Sequence, residues 1–383
     1  MKRTKTDTQD QDQSLYDKEE VKKVAEELSD SQEDSLMYPK SIDPSCTFNT
    51  GFTLLNLALS NNIDAGFIKG NIVRLQGDSG SGKSALAVEL LYRAALQDKD
   101  QKYSILYKDY ENGLHINLAQ RYKDLSSRIK IEKMEDTLET PTIEGEFDQI
   151  KLACTEGNKT VRVVDSLDCL RSFKDKLIRE ERSMFIRKGD FQKANECNGM
   201  MENGKAYSEG YSAVMHPVAN SQSLLILISQ LRDTPNPRIK GGAANNTSGG
   251  RSTKFYSSYT LALSEKEPWK IKTSFNTEEV VGSRIDIKFL KNRGTGYRGV
   301  IPLYLHKDIG FLDQYSVFEW LVERNVIKNN GGYYRADWLG TEESFRKSTV
   351  LKRMMKEPDY FQLFRNKCQE VWDKIQEESS DIF

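Results

Sequence analysis

Gly77-Asp78-Ser79-Gly80-Ser81-Gly82-Lys83-Ser84 carries the most legible chemistry in this 383-residue chain, because it reads GxxxxGKS. A glycine turn of this kind aims successive backbone N–H groups at a phosphate, and the start of a helix adds favourable potential. The lysine reaches the β- and γ-phosphates, and the serine hydroxyl sits on Mg²⁺. The chemistry implied is binding of a nucleoside triphosphate. Such a turn needs a strand before it and a helix after it. Gly70–Gln76 alternates apolar positions as a strand does, and Ala85–Leu91 is a run of strong helix formers.

Four further polar residues fit the same chemistry. Glu111 follows a predicted strand at Tyr103–Lys108 and can polarise an attacking water, although a solvated loop acid would look the same. Asp165 ends the β-branched run Thr160–Val164 and can hold the Mg²⁺ water shell together with Ser84. Ser229 and Gln230 end the most hydrophobic run, Ser223–Ile228, which predicts a buried parallel strand. A side chain at that edge is placed to sense a γ-phosphate.

Composition narrows the classes. Formal net charge is −1, so any nucleic-acid contact must use local basic patches. Two such patches exist. Residues 171–188 carry Arg171, Lys174, Lys176, Arg179, Arg182, Arg187 and Lys188 against three acids, and glycines 189, 199, 204 and 210 follow. This fits a helix with a solvated face and then a surface excursion, or a mobile basic loop that meets a polyanion. Residues 231–253 carry Arg232, Arg238, Lys240 and Arg251 against Asp233, among prolines and glycines that deny regular structure. Lys291 and Arg293 lie in a loop without acids, which suits a phosphate contact. The five cysteines are widely spaced and suggest neither a disulfide framework nor a metal cluster. No run is apolar enough to span a membrane, and the polar N-terminus has no signal segment, which predicts a cytoplasmic protein without membrane partners.

The ends differ from the middle. Residues 1–14 are polar and predicted disordered. Leu15, Val21, Val24, Ala25 and Leu28 fall on one helical face, either packed on its own core or docked on another copy. Phe52–Leu59 predicts a short helix before the phosphate loop, and residues 114–133 a helical or mixed segment. Strands are expected at Thr160–Ser166, Ser258–Ser264, Arg284–Leu290 and Gly299–Tyr304. Residues 313–383 read as a small mixed module with a short acidic tail, Glu377–Asp381.

The motif order resembles the RecA-type homologous-recombination recombinases, leaning toward their phage UvsX-like branch. The resemblance runs from about residue 48 to 335, through Gly77–Ser84, Asp165-Ser166, Thr247-Ser248-Gly249-Gly250-Arg251-Ser252-Thr253-Lys254-Phe255-Tyr256-Ser257-Ser258 and Lys291-Asn292-Arg293. It implies an α/β, RecA-like P-loop NTPase core over 70–312 with a mostly parallel sheet. It also implies an N-terminal helix and linker at 15–69 that docks on the next protomer. DNA-binding loops would fall near 185–210 and 232–250. Glu111 would activate water, with Lys83 and Gln230 completing the catalytic set, and Gln230 would couple the γ-phosphate to the DNA loop. Lys291 and Arg293, with Lys254 and Phe255 at the same boundary, would meet the ATP of an adjacent subunit. The family often has an adenine-stacking tyrosine seven residues after the glutamate; here that position is Leu118, and Tyr122 is the nearest substitute. The function implied is a DNA-dependent ATPase that forms helical filaments on single-stranded DNA and exchanges strands with homologous duplex. Single-strand-binding and mediator proteins would be its further partners. A hexameric replicative helicase shares these core residues, and a non-catalytic ATP-gated mediator is the alternative from another class.

Overall fold

The computed structural model describes residues 41–115, 117–134, 141–155, 157–196, 200–233, 245–247, 250–272, 274–275, 277–340 and 344–380. The expected tail at 1–14, the helix at 15–28 and most of the segment 232–250 lie outside the described residues.

In chain order the strands used below are β1 Thr47–Phe48, β2 Phe67–Ile68, β3 Asn71–Gly77, β4 Tyr103–Asp109, β5 Ile129–Lys133, β6 Lys159–Asp165, β7 Leu224–Asp233, β8 Asn245–Thr247, β9 Tyr259–Lys272, β10 Glu278–Asn292, β11 Val300–His306 and β12 Gly310–Phe311. The helices used below are α1 Thr53–Ser60, α2 Lys83–Gln97, α3 Leu118–Tyr122, α4 Ile143–Ala153, α5 Phe173–Arg187, α6 Phe191–Glu196, α7 Met200–Asn220, α8 Gly250–Tyr256, α9 Asp313–Glu323, α10 Lys347–Lys356 and α11 Pro358–Ser380.

One sheet organises the chain, in the order β12-β11-β10-β9-β3-β7-β6-β4-β5, with β8 paired to β7. From β9 to β5 every neighbouring pair is parallel. Strands β10, β11 and β12 add an antiparallel side. The mixed, largely parallel sheet flanked by helices is the RecA-like α/β class that the resemblance implies. Leu224 to Ile228 are all buried, as a central strand covered on both faces requires.

Alternation along β3 divides the core. Val73 and Leu75 pack with Leu86, Leu90 and Leu91 of α2, and with α1, α9 and α11. Ile72 joins Leu225 and Leu227 of β7 under α4 and α7 on the other face. The C-terminal helices belong to the first layer: Trp372 Nε1 donates to Asn61 Oδ1 at 3.0 Å, just past α1.

Four sequence expectations meet a different structure. The described residues within 185–210 are mostly helical, in α5, α6 and α7, where a loop was expected. Tyr207, Tyr211, Val214 and Val218 recur at helical spacing and are buried. Gly204 and Gly210 hid that period, yet Gly210 leaves room for a ring: a Cβ there would lie 2.4 Å from the Phe147 side chain. The strand expected to end at Gln230 continues to Asp233, and Leu231–Asp233 pairs with Asn245–Thr247. The mixed segment 114–133 ends in an edge strand, β5, that had not been anticipated. The strands expected at 258–264 and 284–290 extend into one long hairpin, β9–β10, irregular near Val280, Ser283 and Phe289.

Candidate nucleotide site

Strand register sets the candidate site. Gly77 pairs with Gln230 across β3 and β7, and Asp109 pairs with Asp165 across β4 and β6. Gly77, Asp109 and Asp165 therefore end their strands on one edge of the sheet, and Gln230 lies beside Gly77 there although β7 runs on to Asp233; this is the edge where α/β sheets present ligand-binding groups.

Between β3 and α2 the chain turns through Gly80 and Gly82, both at positive φ, 79° and 84°. Glycine adopts that region without the Cβ clash other residues meet. Gly82 is also the N-cap of α2 and supplies no side-chain cap. The first-turn amides are thus left to an anion rather than to a serine or aspartate oxygen, which fits a phosphate. The Lys83 ammonium donates to the Gly77 and Asp78 carbonyls at 2.9 and 2.6 Å, inside the turn. Burial pushes it below the usual lysine range, while Asp165, Glu111, Asp78 and Asp168 pull the other way.

Ser84 Oγ donates to Asp165 Oδ2 at 2.7 Å, and Tyr107 donates to the same oxygen. Burial raises the Asp165 carboxyl above its ordinary value, against the two hydroxyls that favour its charge. A hydroxyl and one carboxylate suit Mg²⁺, which keeps waters and phosphate oxygens as its other ligands. Among the described residues no group of three or more His, Cys, Asp or Glu is placed to cage a metal ion.

Glu111 sits on a turn held at both ends. Asp109 accepts from the Gly113 and Leu114 amides at 3.2 and 3.0 Å. Tyr110 donates to Glu146, whose other oxygen takes Arg162 Nε at 2.9 Å. The exposed Glu111 carboxylate accepts from Ser166 Oγ and, at 3.0 Å, from Gln230 Nε2. The Gln230 backbone N–H donates to Asp168 Oδ2 at 2.8 Å. Sequence reading overlooked Tyr107, Asp109 and Asp168. Tyr107 and Asp109 share a strand face by their spacing of two, and Asp168 is three residues past Asp165, so the signals were present but unspecific.

A second cluster forms elsewhere. Lys291 Nζ donates to the Lys254 and Phe255 carbonyls at 3.0 and 2.8 Å, and Phe255 is 68% exposed. Burial, then Arg293 and Arg298, push the Lys291 ammonium down to about 8. Asn292, between Lys291 and Arg293, pairs with Tyr259, which pairs with Val73. Gly77 pairs with Leu263, four residues further along. At ~3.3 Å per residue the cation pair lies some 13 Å or more behind the phosphate turn along the strands.

Leu118 packs against the core. Tyr122 is also buried: it stacks on Tyr92 at 4.3 Å, and its hydroxyl donates to Glu89 at 2.8 Å. Both tyrosines line a cavity of about 860 Å³ that opens beside Ala85 and reaches His306. Among the described residues no helix is long and apolar enough to cross a membrane.

No family model matches the chain. Curated relatives do. The mitochondrial DNA repair protein recA homolog 3 of Arabidopsis thaliana is 24% identical over 312 residues, 81% of this chain and 64% of that protein. Protein RecA of Mycoplasma genitalium is 25% identical, over 75% of each chain. A plasmid Protein RecA of Lactococcus lactis subsp. lactis is 26% identical, over 70% of this chain and 69% of its own. The chain thus spans just under two thirds of the Arabidopsis protein. These partial, low-identity relatives support a RecA-like assignment of the chain at the level of the superfamily.

Proposed function

We propose that this protein is a DNA-dependent ATPase that assembles as a helical filament on single-stranded DNA and catalyses homologous pairing and strand exchange. Its placement in the phage UvsX-like branch is part of the same proposal and rests on the motif order. The observation that carries it is the opposition of two phosphate-seeking clusters across one sheet. Lys83 and Ser84 lie at one edge, and Lys291 and Arg293 lie well behind them. One chain then offers half a triphosphate site at each of two places. Head-to-tail copies complete such sites, and head-to-tail contacts that do not close give helical filaments. The names carried by the relatives, RecA and DNA repair, support the same reading.

ATP is the substrate. Residues 77–84 would cradle its phosphates, Ser84 and Asp165 would hold Mg²⁺, and the cavity beside Ala85 would take the base. When bound, Mg²⁺ neutralises charge on the β- and γ-phosphate oxygens. Glu111, held by Ser166 and Gln230, would orient the attacking water and accept its proton. Lys291 and Arg293 of the next copy would stabilise charge on the γ-phosphate. Gln230 shares β7 with Asp233, so a shift at the phosphate reaches the basic segment 232–250 through one strand. Basic residues there and on α5 would grip the DNA backbone, with single-strand-binding and mediator proteins as loading partners.

Electron microscopy with ATP and single-stranded DNA tests this reading. Helical filaments that vanish without nucleotide are expected. Closed rings that unwind forked duplex would replace it with the helicase reading.

A further inference from the structure

Arg74 is an unusual residue for the middle of a parallel strand. It sits on β3 between Leu227 of β7 and Thr260 of β9, and it is fully buried. Its Nε donates to Ser229 Oγ at 3.1 Å. Its two terminal nitrogens, Nη1 and Nη2, are buried without a hydrogen-bond partner among the described residues. Burial pushes the guanidinium below its ordinary value, with the neighbouring Tyr211 and Asp168 pulling the other way. An incompletely paired buried cation is not a device for stability, since apolar residues of similar volume commonly serve as well or better. Its presence calls for a functional reason.

Its neighbours supply one. Ser229 immediately precedes Gln230, and Asp168 accepts the Gln230 amide. Arg74 therefore bonds the side chain that immediately precedes Gln230 on β7, and it lies within the electrostatic reach of Asp168. Tyr211 stacks on Tyr256 of α8 at 5.7 Å, and α8 follows directly in the sequence from the basic segment 232–250. On the ATPase reading given above, we infer that Arg74 is a positioning residue that braces Ser229 and so sets whether Gln230, the next residue on β7, reaches Glu111. Lysine keeps the charge but lacks the planar fork with its Nε donor, so it restores the brace only in part.

The test uses the full chain as wild type, Arg74→Met, Arg74→Lys and Ser229→Ala. Three quantities are read: the melting temperature, amide hydrogen exchange across residues 224–233, and phosphate release with and without single-stranded DNA. Arg74→Met is expected to melt no lower than wild type while its Gln230 amide exchanges about tenfold faster. Its DNA-dependent turnover is expected to fall by about tenfold or more at unchanged KM for ATP, with Arg74→Lys intermediate. A purely structural role would instead lower the melting temperature and raise exchange along all of β3 and β7. That result, or a folded Arg74→Met with unchanged exchange at Gln230, overturns the assignment. If Arg74→Met does not fold, Ser229→Ala removes the same bond, and unchanged exchange at Gln230 in it is equally decisive. If wild type shows no DNA-stimulated release, the ATPase reading fails there, while exchange at Gln230 still decides the role of Arg74.

Discussion

Gln230 Nε2 donates to Glu111 Oε1 at 3.0 Å, joining β7 to the turn that follows β4. The contact places an amide that can feel a γ-phosphate on the carboxylate that would activate water. Glu111→Gln should therefore lower phosphate release by roughly 10²- to 10⁴-fold while ATP still binds, as loss of a general base does. Single-turnover hydrolysis beside equilibrium nucleotide binding checks both halves.

Lys291 gives a pH signature. Its ammonium titrates at about 8, below the ordinary lysine value, because of burial and the neighbouring Arg293 and Arg298. Its charge is present below pH 8 and is lost above it, so KM for ATP should rise as pH climbs from 7 to 9. Stability should move the other way: between about 8 and 10.4 the unfolded chain holds the extra proton, and folding is favoured as pH increases. Lys291→Arg keeps its charge and should flatten the KM profile. A KM profile for ATP from pH 6.5 to 9.5 on both proteins measures this.

Two glycines of α7 should respond in opposite senses. A Cβ at Gly210 would meet the Phe147 ring at 2.4 Å, whereas one at Gly204 would meet nothing within 4 Å. Gly210→Val should cost about 1–3 kcal/mol through overpacking. Gly204→Ala, exposed in mid-helix, should stabilise by about 0.5–1 kcal/mol. Denaturant unfolding of both variants decides whether this region is a packed helix.

These glycines show what the sequence hides. Gly77–Ser84, Asp165 and Gln230 could be singled out as candidates because the proposed chemistry needs a fixed residue type near the end of a strand, and register brings them to one edge of the sheet. The helix α7 was not, because glycine reads as a breaker until the ring that needs its missing Cβ is known. Asp168 escaped for a similar reason, since its role depends on a backbone amide 62 residues away. Arg74 looked like any charged residue in a strand, and only its burial sets it apart.

The central claim is that nucleotide held at Gly77–Ser84 drives pairing of single-stranded DNA with homologous duplex. The most direct measurement is joint-molecule formation from single-stranded DNA and a supercoiled homologous duplex, with wild type and Lys83→Ala, in the presence and absence of ATP. Wild type should form joint molecules only with ATP and homology, and Lys83→Ala should form none. Wild type that coats single-stranded DNA yet forms no joint molecules under any nucleotide condition would contradict it.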